Sequence, residues 1–138
     1  MYIIKTFNFI ILTGEARPYL LFANQNDIRF VEVTPHNFNP KKSTIVVKKL
    51  DDVAALDFFL TKNQVCWTEI SSAVIRCSEI NPDKKGKVDK EIIVNTGLLK
   101  PEGLACDWVN DNIYWTDSET KRIEVSSMPG KNGSFFHR

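Results

Sequence analysis

The sequence predicts an all-β protein assembled from four-stranded antiparallel sheets, and two observations carry that expectation. First, apolar residues fall in runs of five to seven, rich in Val, Ile, Phe, Tyr and Trp, separated by clusters of Asn, Asp, Ser, Gly and Pro. That is the composition of short strands joined by tight turns. No window shows an apolar period near 3.6 residues, so helix content should be low. Second, the chain repeats itself. Val65-Cys66-Trp67-Thr68-Glu69 matches Ile113-Tyr114-Trp115-Thr116-Asp117, and the two tryptophans stand 48 residues apart. One four-stranded blade of a β-propeller occupies roughly 40–50 residues. The expected fold is a partial β-propeller of about three blades.

The elements follow in chain order. Residues 1–16 have two readings. Lys5, the short apolar stretch Phe7–Leu12 broken by Asn8, and the small residues Gly14 and Ala16 have the shape of a secretory signal cleaved after Ala16. The alternative is an ordinary β-strand. From Tyr19 the expected strands are Leu20–Asn24, Ile28–Val33 and Thr44–Lys48, a first blade (19–49) that lacks its inner strand. Val53–Phe59, Gln64–Glu69, Val74–Ile80 and Glu91–Asn95 make a whole second blade (53–95). Gly103–Trp108, Asn112–Asp117 and Arg122–Ser127 make most of a third (103–130), with a frayed strand expected near Ser134–His137. Asn63, Asn110-Asp111-Asn112 and Pro101 punctuate the joins. Residues 131–138 depart from the repeat. A closed ring needs at least about four blades, so three should not close by themselves.

Composition narrows the function classes. Lys and Arg number 18 against 17 Asp and Glu, a net +1, so there is no broad basic field for nucleic acid. The lysine clusters Lys41-Lys42 with Lys48-Lys49, and Lys84-Lys85 with Lys87 and Lys90, read as solvated loop charges. No stretch approaches the roughly 18 apolar residues of a membrane span. The three cysteines show no C-x-x-C pattern, and the two histidines, His36 and His137, lie in a polar loop and at the end of the chain. Neither a zinc module nor a Ser-His-Asp or Cys-His catalytic arrangement can be assembled from them. No cofactor, metal site or enzymatic activity is expected.

Singled-out residues favour architecture over chemistry. Trp67 and Trp115 could stack on a sugar, but bulky residues at one strand position of each repeat are better read as packing between blades. Asp107 and Asp117 could be a catalytic or calcium pair. As repeat residues they are better read as strand-end carboxylates holding turns, with Asp57 repeating the first of them. A four-residue loop at Ile70–Ala73 would set Cys66 directly opposite Cys77. Two small buried thiols are the preferred reading and a cross-strand disulfide the alternative, because opposed Cβ atoms about 4.5–5.5 Å apart lie slightly beyond disulfide spacing. Cys106 should be a buried thiol.

Taken together, Gly103–Trp108, Ile113–Thr120 and Arg122–Ser126, with the run from Leu99 and the opening Leu20-Leu21-Phe22-Ala23-Asn24, resemble YWTD (LDL-receptor class B) repeats. More narrowly, they resemble the first propeller of the LDL-receptor-related Wnt co-receptors (proteins five and six and insect arrow), over about Tyr19 to Gly130. The pattern departs at Cys66, where the family has Tyr, at Glu69, where it has Asp, and at Pro129-Gly130, where it has Asp-Gly. The resemblance implies a six-bladed parent ring, an extracellular or cell-surface location, and secreted protein ligands of the Wnt or Wnt-antagonist type. It places function on loops at one face of the disc: Asp51, Asp52, Ile70, Ser71, Leu99, Lys100, Glu102 and Glu119. Tyr114, Thr116, Asp117, Trp115, Trp67 and Asp107 belong to the structural motif. Ser72-Ala73 stands where the family has an acid after Ser71, which thins the acidic character of that face. Asn132-Gly133-Ser134 is an N-glycosylation sequon. The alternatives are a truncated fragment that binds nothing, or a YWTD propeller of another lipoprotein-receptor type.

Overall fold

The computed structural model describes residues 9–13, 18–33, 39–80 and 88–128, with side chains from residue 19 onward within those spans except at Pro40. The strands run β1 Phe9–Thr13, β2 Pro18–Asn24, β3 Asp27–Glu32, β4 Thr44–Lys48, β5 Val53–Phe59, β6 Gln64–Glu69, β7 Val74–Glu79, β8 Glu91–Val94, β9 Pro101–Asp107, β10 Asn112–Asp117 and β11 Arg122–Ser127. They form three antiparallel sheets, β1-β2-β3-β4, β5-β6-β7-β8 and β9-β10-β11, each a meander in chain order. Only two short 3-10 turns, Pro40–Lys42 and Leu60–Lys62, interrupt the strand and loop pattern among the described residues. The architecture is a partial β-propeller.

One expectation differs at the start. The first sheet has four strands, because Phe9–Thr13 pairs antiparallel with β2 from Phe9↔Phe22 to Thr13↔Pro18. The inner strand thought missing is supplied by residues also read as a secretory signal. A short apolar run satisfies both patterns, and the open backbone edge of β2 favours pairing. The sequon at Asn132 and the strand expected at Ser134–His137 lie outside the described residues.

Two cores join the three sheets, and the period-two alternation of side chains assigns residues to them. Leu21, Ala23 and Ile28 of the first sheet meet Leu56, Phe58, Val65 and Trp67 of the second. Phe59, Cys66, Ile75 and Cys77 on the opposite face of the second sheet meet Ile113 and Trp115 of the third. Each tryptophan therefore faces the preceding sheet, and both are buried. Truncating either to alanine removes a fully buried aromatic, a change that costs about 3–5 kcal/mol.

The register corrects the repeat alignment at the aspartates. Trp67 pairs with Leu56 and Trp115 with Leu104, and both inner hairpins close on four-residue loops, Phe59↔Gln64 and Asp107↔Asn112. Asp107 is thus the counterpart of Phe59, and Asp57 the counterpart of Ala105. Asp57 does not repeat Asp107. The hairpins also share backbone form, since Asn63 and Asp111 end the inner loops, and Ala73 and Lys121 the outer ones, all with φ between 49° and 56°. Asn and Asp tolerate that left-handed conformation, whereas Ala and Lys adopt it less readily.

The cysteines correct a second expectation. Cys66 and Cys77 are opposed across β6 and β7 with Cα atoms 4.0 Å apart, and they are disulfide-bonded rather than two thiols. The short separation is that of a non-hydrogen-bonded pair, the closer of the two antiparallel positions. Cys106 carries the free thiol of the described residues. Burial, and secondarily the Asp57 charge, push its pKa well up.

Candidate functional site

Because every sheet is a meander, the turn after its second strand and the connection into the next sheet emerge at the same end. That end carries the turn between β2 and β3, the β4–β5 connection, the β6–β7 turn, the β8–β9 connection and the β10–β11 turn. All eight residues expected to face a ligand lie there. They form two groups, each built on one buried carboxylate.

The first group is Asp51, Asp52, Ile70 and Ser71, around Glu69. Glu69 is 4% exposed. Its Oε1 accepts the indole N–H of Trp67 at 2.9 Å and meets Arg76 Nε at 3.0 Å, while its Oε2 accepts the Asp51 backbone N–H at 3.0 Å. Ile70 N–H donates to the Asp52 carbonyl at 3.0 Å, so the incoming connection and the hairpin turn are stitched together. Asp52 holds φ at 59°, a conformation Asp can adopt. Asp51 and Ser71 are exposed, and Asp52 and Ile70 half-buried.

The second group is Leu99, Lys100, Glu102 and Glu119, around Asp117, which is 1% exposed. Asp117 Oδ2 accepts the backbone N–H groups of Leu99 at 2.7 Å and Lys100 at 3.0 Å. Its Oδ1 accepts those of Glu119 at 3.1 Å and Thr120 at 2.9 Å. Burial alone would raise this carboxyl, but the donors from Thr120, Leu99 and Lys100 outweigh it and hold the pKa below its ordinary value. Ser118 N–H closes the ring of bonds onto the Lys100 carbonyl at 3.1 Å. Glu69 and Asp117 occupy the same position of the repeat and each accepts a backbone N–H from the incoming connection, but Glu69 turns its remaining capacity to Trp67 and Arg76 whereas Asp117 takes the N–H groups of its own turn.

The side chains of this end are mixed in character. Leu99 is 61% exposed on a loop whose backbone is fixed by Asp117. Lys100 Nζ sits 3.0 Å from Glu102 Oε1, both largely in solvent. The hydrogen bond and charge of Glu102 raise the Lys100 pKa, and Glu102 is held low by hydrogen bonds from Ser118 and then Lys100. Ser71 and Glu119 stand on the hairpin turns beside them. The surface thus sets carboxylates around the exposed Leu99 and the half-buried Ile70.

Sequence reasoning missed two contributors. Gln25 and Asn26, in the β2–β3 turn, join the same end: their carbonyls accept the N–H groups of Val53 and Leu50, and Asn26 Nδ2 donates to the Leu50 carbonyl at 3.1 Å. Lys90 reaches back to the Lys48 and Lys49 carbonyls at 3.2 and 2.9 Å. Alignment of Asn24 with Glu69 and Asp117 would have pointed to the first; nothing local pointed to the second.

The motif residues are placed as follows. Asp107 sits at the opposite end and caps its own turn, accepting from Val109 N–H, Asn110 N–H and Asn110 Nδ2. Thr68 Oγ1 accepts the Ala55 N–H at 3.0 Å. Tyr114 and Thr116 are exposed on the far face of the third sheet. Among the described residues no group of three or more His, Cys, Asp or Glu could hold a metal ion, and no helix is long and apolar enough to cross a membrane.

No protein-family model matches the chain. It is 42% identical over 120 residues to low-density lipoprotein receptor-related protein 5 of Mus musculus, covering 87% of this chain and 7% of that protein. Identity to the Homo sapiens protein of that name is 44% over 115 residues, 83% of this chain and 7% of the relative. To low-density lipoprotein receptor-related protein 8 of Homo sapiens it is 32% over 113 residues, 82% of this chain and 11% of the relative. The chain therefore spans a small part of the curated relatives it matches. Among solved structures, a chain of a crystal structure of a nidogen/laminin complex superposes with a TM-score of 0.70 at 26% identity, covering 86% of this chain and 43% of that one.

Proposed function

We propose that this chain, a stretch of YWTD (LDL-receptor class B) repeats of an LDL-receptor-related type of propeller, acts outside the cell by binding secreted protein ligands of the Wnt or Wnt-antagonist type. The observation that carries the reading is the convergence of Asp51, Asp52, Ile70, Ser71, Leu99, Lys100, Glu102 and Glu119 at one end of the sheets, held by Glu69 and Asp117. The 42–44% identity to receptor-related protein 5, against 32% to protein 8, supports the Wnt co-receptor branch of that reading. Rigid loops lower the ordering cost of binding, and a projecting Leu99 beside acidic side chains is the arrangement expected of a binding hot spot.

Surface plasmon resonance with the 138-residue chain immobilised tests this directly. Purified secreted Wnt antagonists should bind, and Leu99→Asp should weaken binding by roughly 30-fold, the loss expected of a hot-spot residue. Asp107→Asn, at the opposite end, should leave affinity unchanged. Equal affinity for the wild type and Leu99→Asp would refute the assignment of the face. Absence of binding to any Wnt-type ligand would refute the ligand class.

A further inference from the structure

We infer that Lys48, Lys49 and Lys90 form a docking site for a sulfated polysaccharide, on the rim where the first two sheets meet. The site uses none of the eight residues assigned to the protein ligand. The choice of polyanion rests on the extracellular location proposed above.

The fold joins two lysine clusters that are separate in the sequence. Lys90 Nζ donates to the carbonyls of Lys48 at 3.2 Å and Lys49 at 2.9 Å, tying the segment that enters β8 to the end of β4. An ammonium carries three N–H donors, so one remains for a further acceptor. Lys48 and Lys49 are exposed and Lys90 half-buried. Like charges gathered in this way repel one another, and the acids around them do not offset the repulsion. Asp27, opposite Lys48 in the β3–β4 register, is taken by Arg29 through two bonds of 2.8 Å. Asp51, Asp89 and Glu91 stand next to the lysines in sequence, yet among the described residues none forms an ion pair with them.

The exposure of these lysines belongs to their place in the repeat. Lys49 and Gly97 each precede a buried leucine, Leu50 and Leu98, and share a left-handed backbone with φ of 59° and 74°. The second sheet is packed on both faces, and Asn95, Thr96 and Gly97 are still exposed. The same connection after β4 is therefore open at the periphery whether or not a further sheet covers the first.

The chemistry of the patch selects its occupant. Val47 and Leu50, on either side of Lys48 and Lys49, are buried, so the patch lacks the apolar anchor of a protein hot spot. Three lysines also fall short of the roughly 4–8 basic residues that hold a segment on an anionic membrane. A linear chain of sulfates supplies closely spaced permanent anions. These accept charge-assisted hydrogen bonds from ammonium groups and release counterions on binding.

Surface plasmon resonance of the 138-residue chain over immobilised heparin tests the inference. Binding should be saturable at physiological salt. Lys48→Gln with Lys49→Gln should weaken it roughly 25-fold, at about fivefold per lysine, and lower the slope against log salt by nearly two. Adding Lys90→Gln should remove about another fivefold. Lys121→Gln with Arg122→Gln takes two exposed charges from the third sheet. Affinity should then stay within about twofold, because salt screens charges elsewhere on the surface. Leu99→Asp should bind heparin as the wild type does, which separates a failure here from a failure of the protein-ligand assignment. Several results would each overturn the proposal: a wild type that does not bind heparin, or an equal loss in the Lys121 and Arg122 variant. Equal binding to hyaluronan, whose anions are carboxylates alone, or to phosphatidylserine vesicles would overturn it as well.

Discussion

Asp57 Oδ2 accepts the backbone N–H of Cys106 at 2.7 Å, a bond that spans the joint between the second and third sheets. Its other oxygen accepts the Phe58 N–H at 2.8 Å. The carboxylate therefore fixes the angle at which one inner strand meets the next. Asp57→Ala leaves the Cys106 N–H partly buried without an acceptor, and about 1–3 kcal/mol of stability should be lost in urea unfolding. Alkylation of Cys106 should also accelerate, since its raised pKa comes first from burial and then from the Asp57 charge. A variant as stable and as slowly alkylated as wild type would show that the bond contributes nothing.

The Cys66–Cys77 disulfide closes a short loop across one hairpin, with a sequence separation of 11 residues. In the chain-entropy account a loop of that size is worth about 2–3 kcal/mol. Cys66→Ala with Cys77→Ala should lower the urea midpoint accordingly, less whatever strain the bond carries. Alkylation of the denatured wild type without reductant should add one label, at Cys106, and three after reduction. Three labels without reductant would contradict the bond.

Much of this fold was legible because strand grammar is local. Val53–Phe59, Gln64–Glu69 and Asn112–Asp117 were bounded to the residue, since each starts after a turn residue and ends at a hairpin. The failures were non-local. Phe9–Thr13 carries no mark of a strand that its own residues reveal; its partner is the edge of β2. Asp57 and Asp107 were matched by identity, whereas equal loop lengths measured from Trp67 and Trp115 set them two residues apart. At the candidate site the eight residues were named from resemblance. Of the two anchors that hold them, Asp117 reads in the sequence only as a turn-holding acid and Glu69 only as a departure from the family's Asp; their acceptor bonds to distant backbone carry no local signature.

Gly103 is required by the side chain opposite it. A Cβ there would collide with Thr116 Oγ1. Ala55, its counterpart, is accommodated because Thr68 Oγ1 instead accepts the Ala55 N–H at 3.0 Å. Gly103→Ala should cost about 1–3 kcal/mol through overpacking. Thr116→Ala alone should be nearly neutral, and combined with Gly103→Ala should recover most of the loss. Equal instability of the single and double variants in thermal melts would place the strain elsewhere.

Asp117 predicts the acid response of the third sheet. Its folded pKa lies below the ordinary 3.8, so the unfolded chain takes up its proton first as pH falls. The stability that Asp117 contributes is therefore complete above the ordinary value and disappears as pH drops through the lower folded one. Asp117→Asn keeps the shape but offers a single acceptor oxygen to four N–H groups, so at neutral pH it should cost about 2 kcal/mol. The gap between wild type and variant should narrow only below the unfolded pKa, measured by urea unfolding from pH 7 to pH 2. Hydrogen exchange at Leu99, Lys100, Glu119 and Thr120 should rise together in Asp117→Asn, because one carboxylate holds both loops. A gap that is constant across that pH range would mean the carboxylate's charge is not what anchors them.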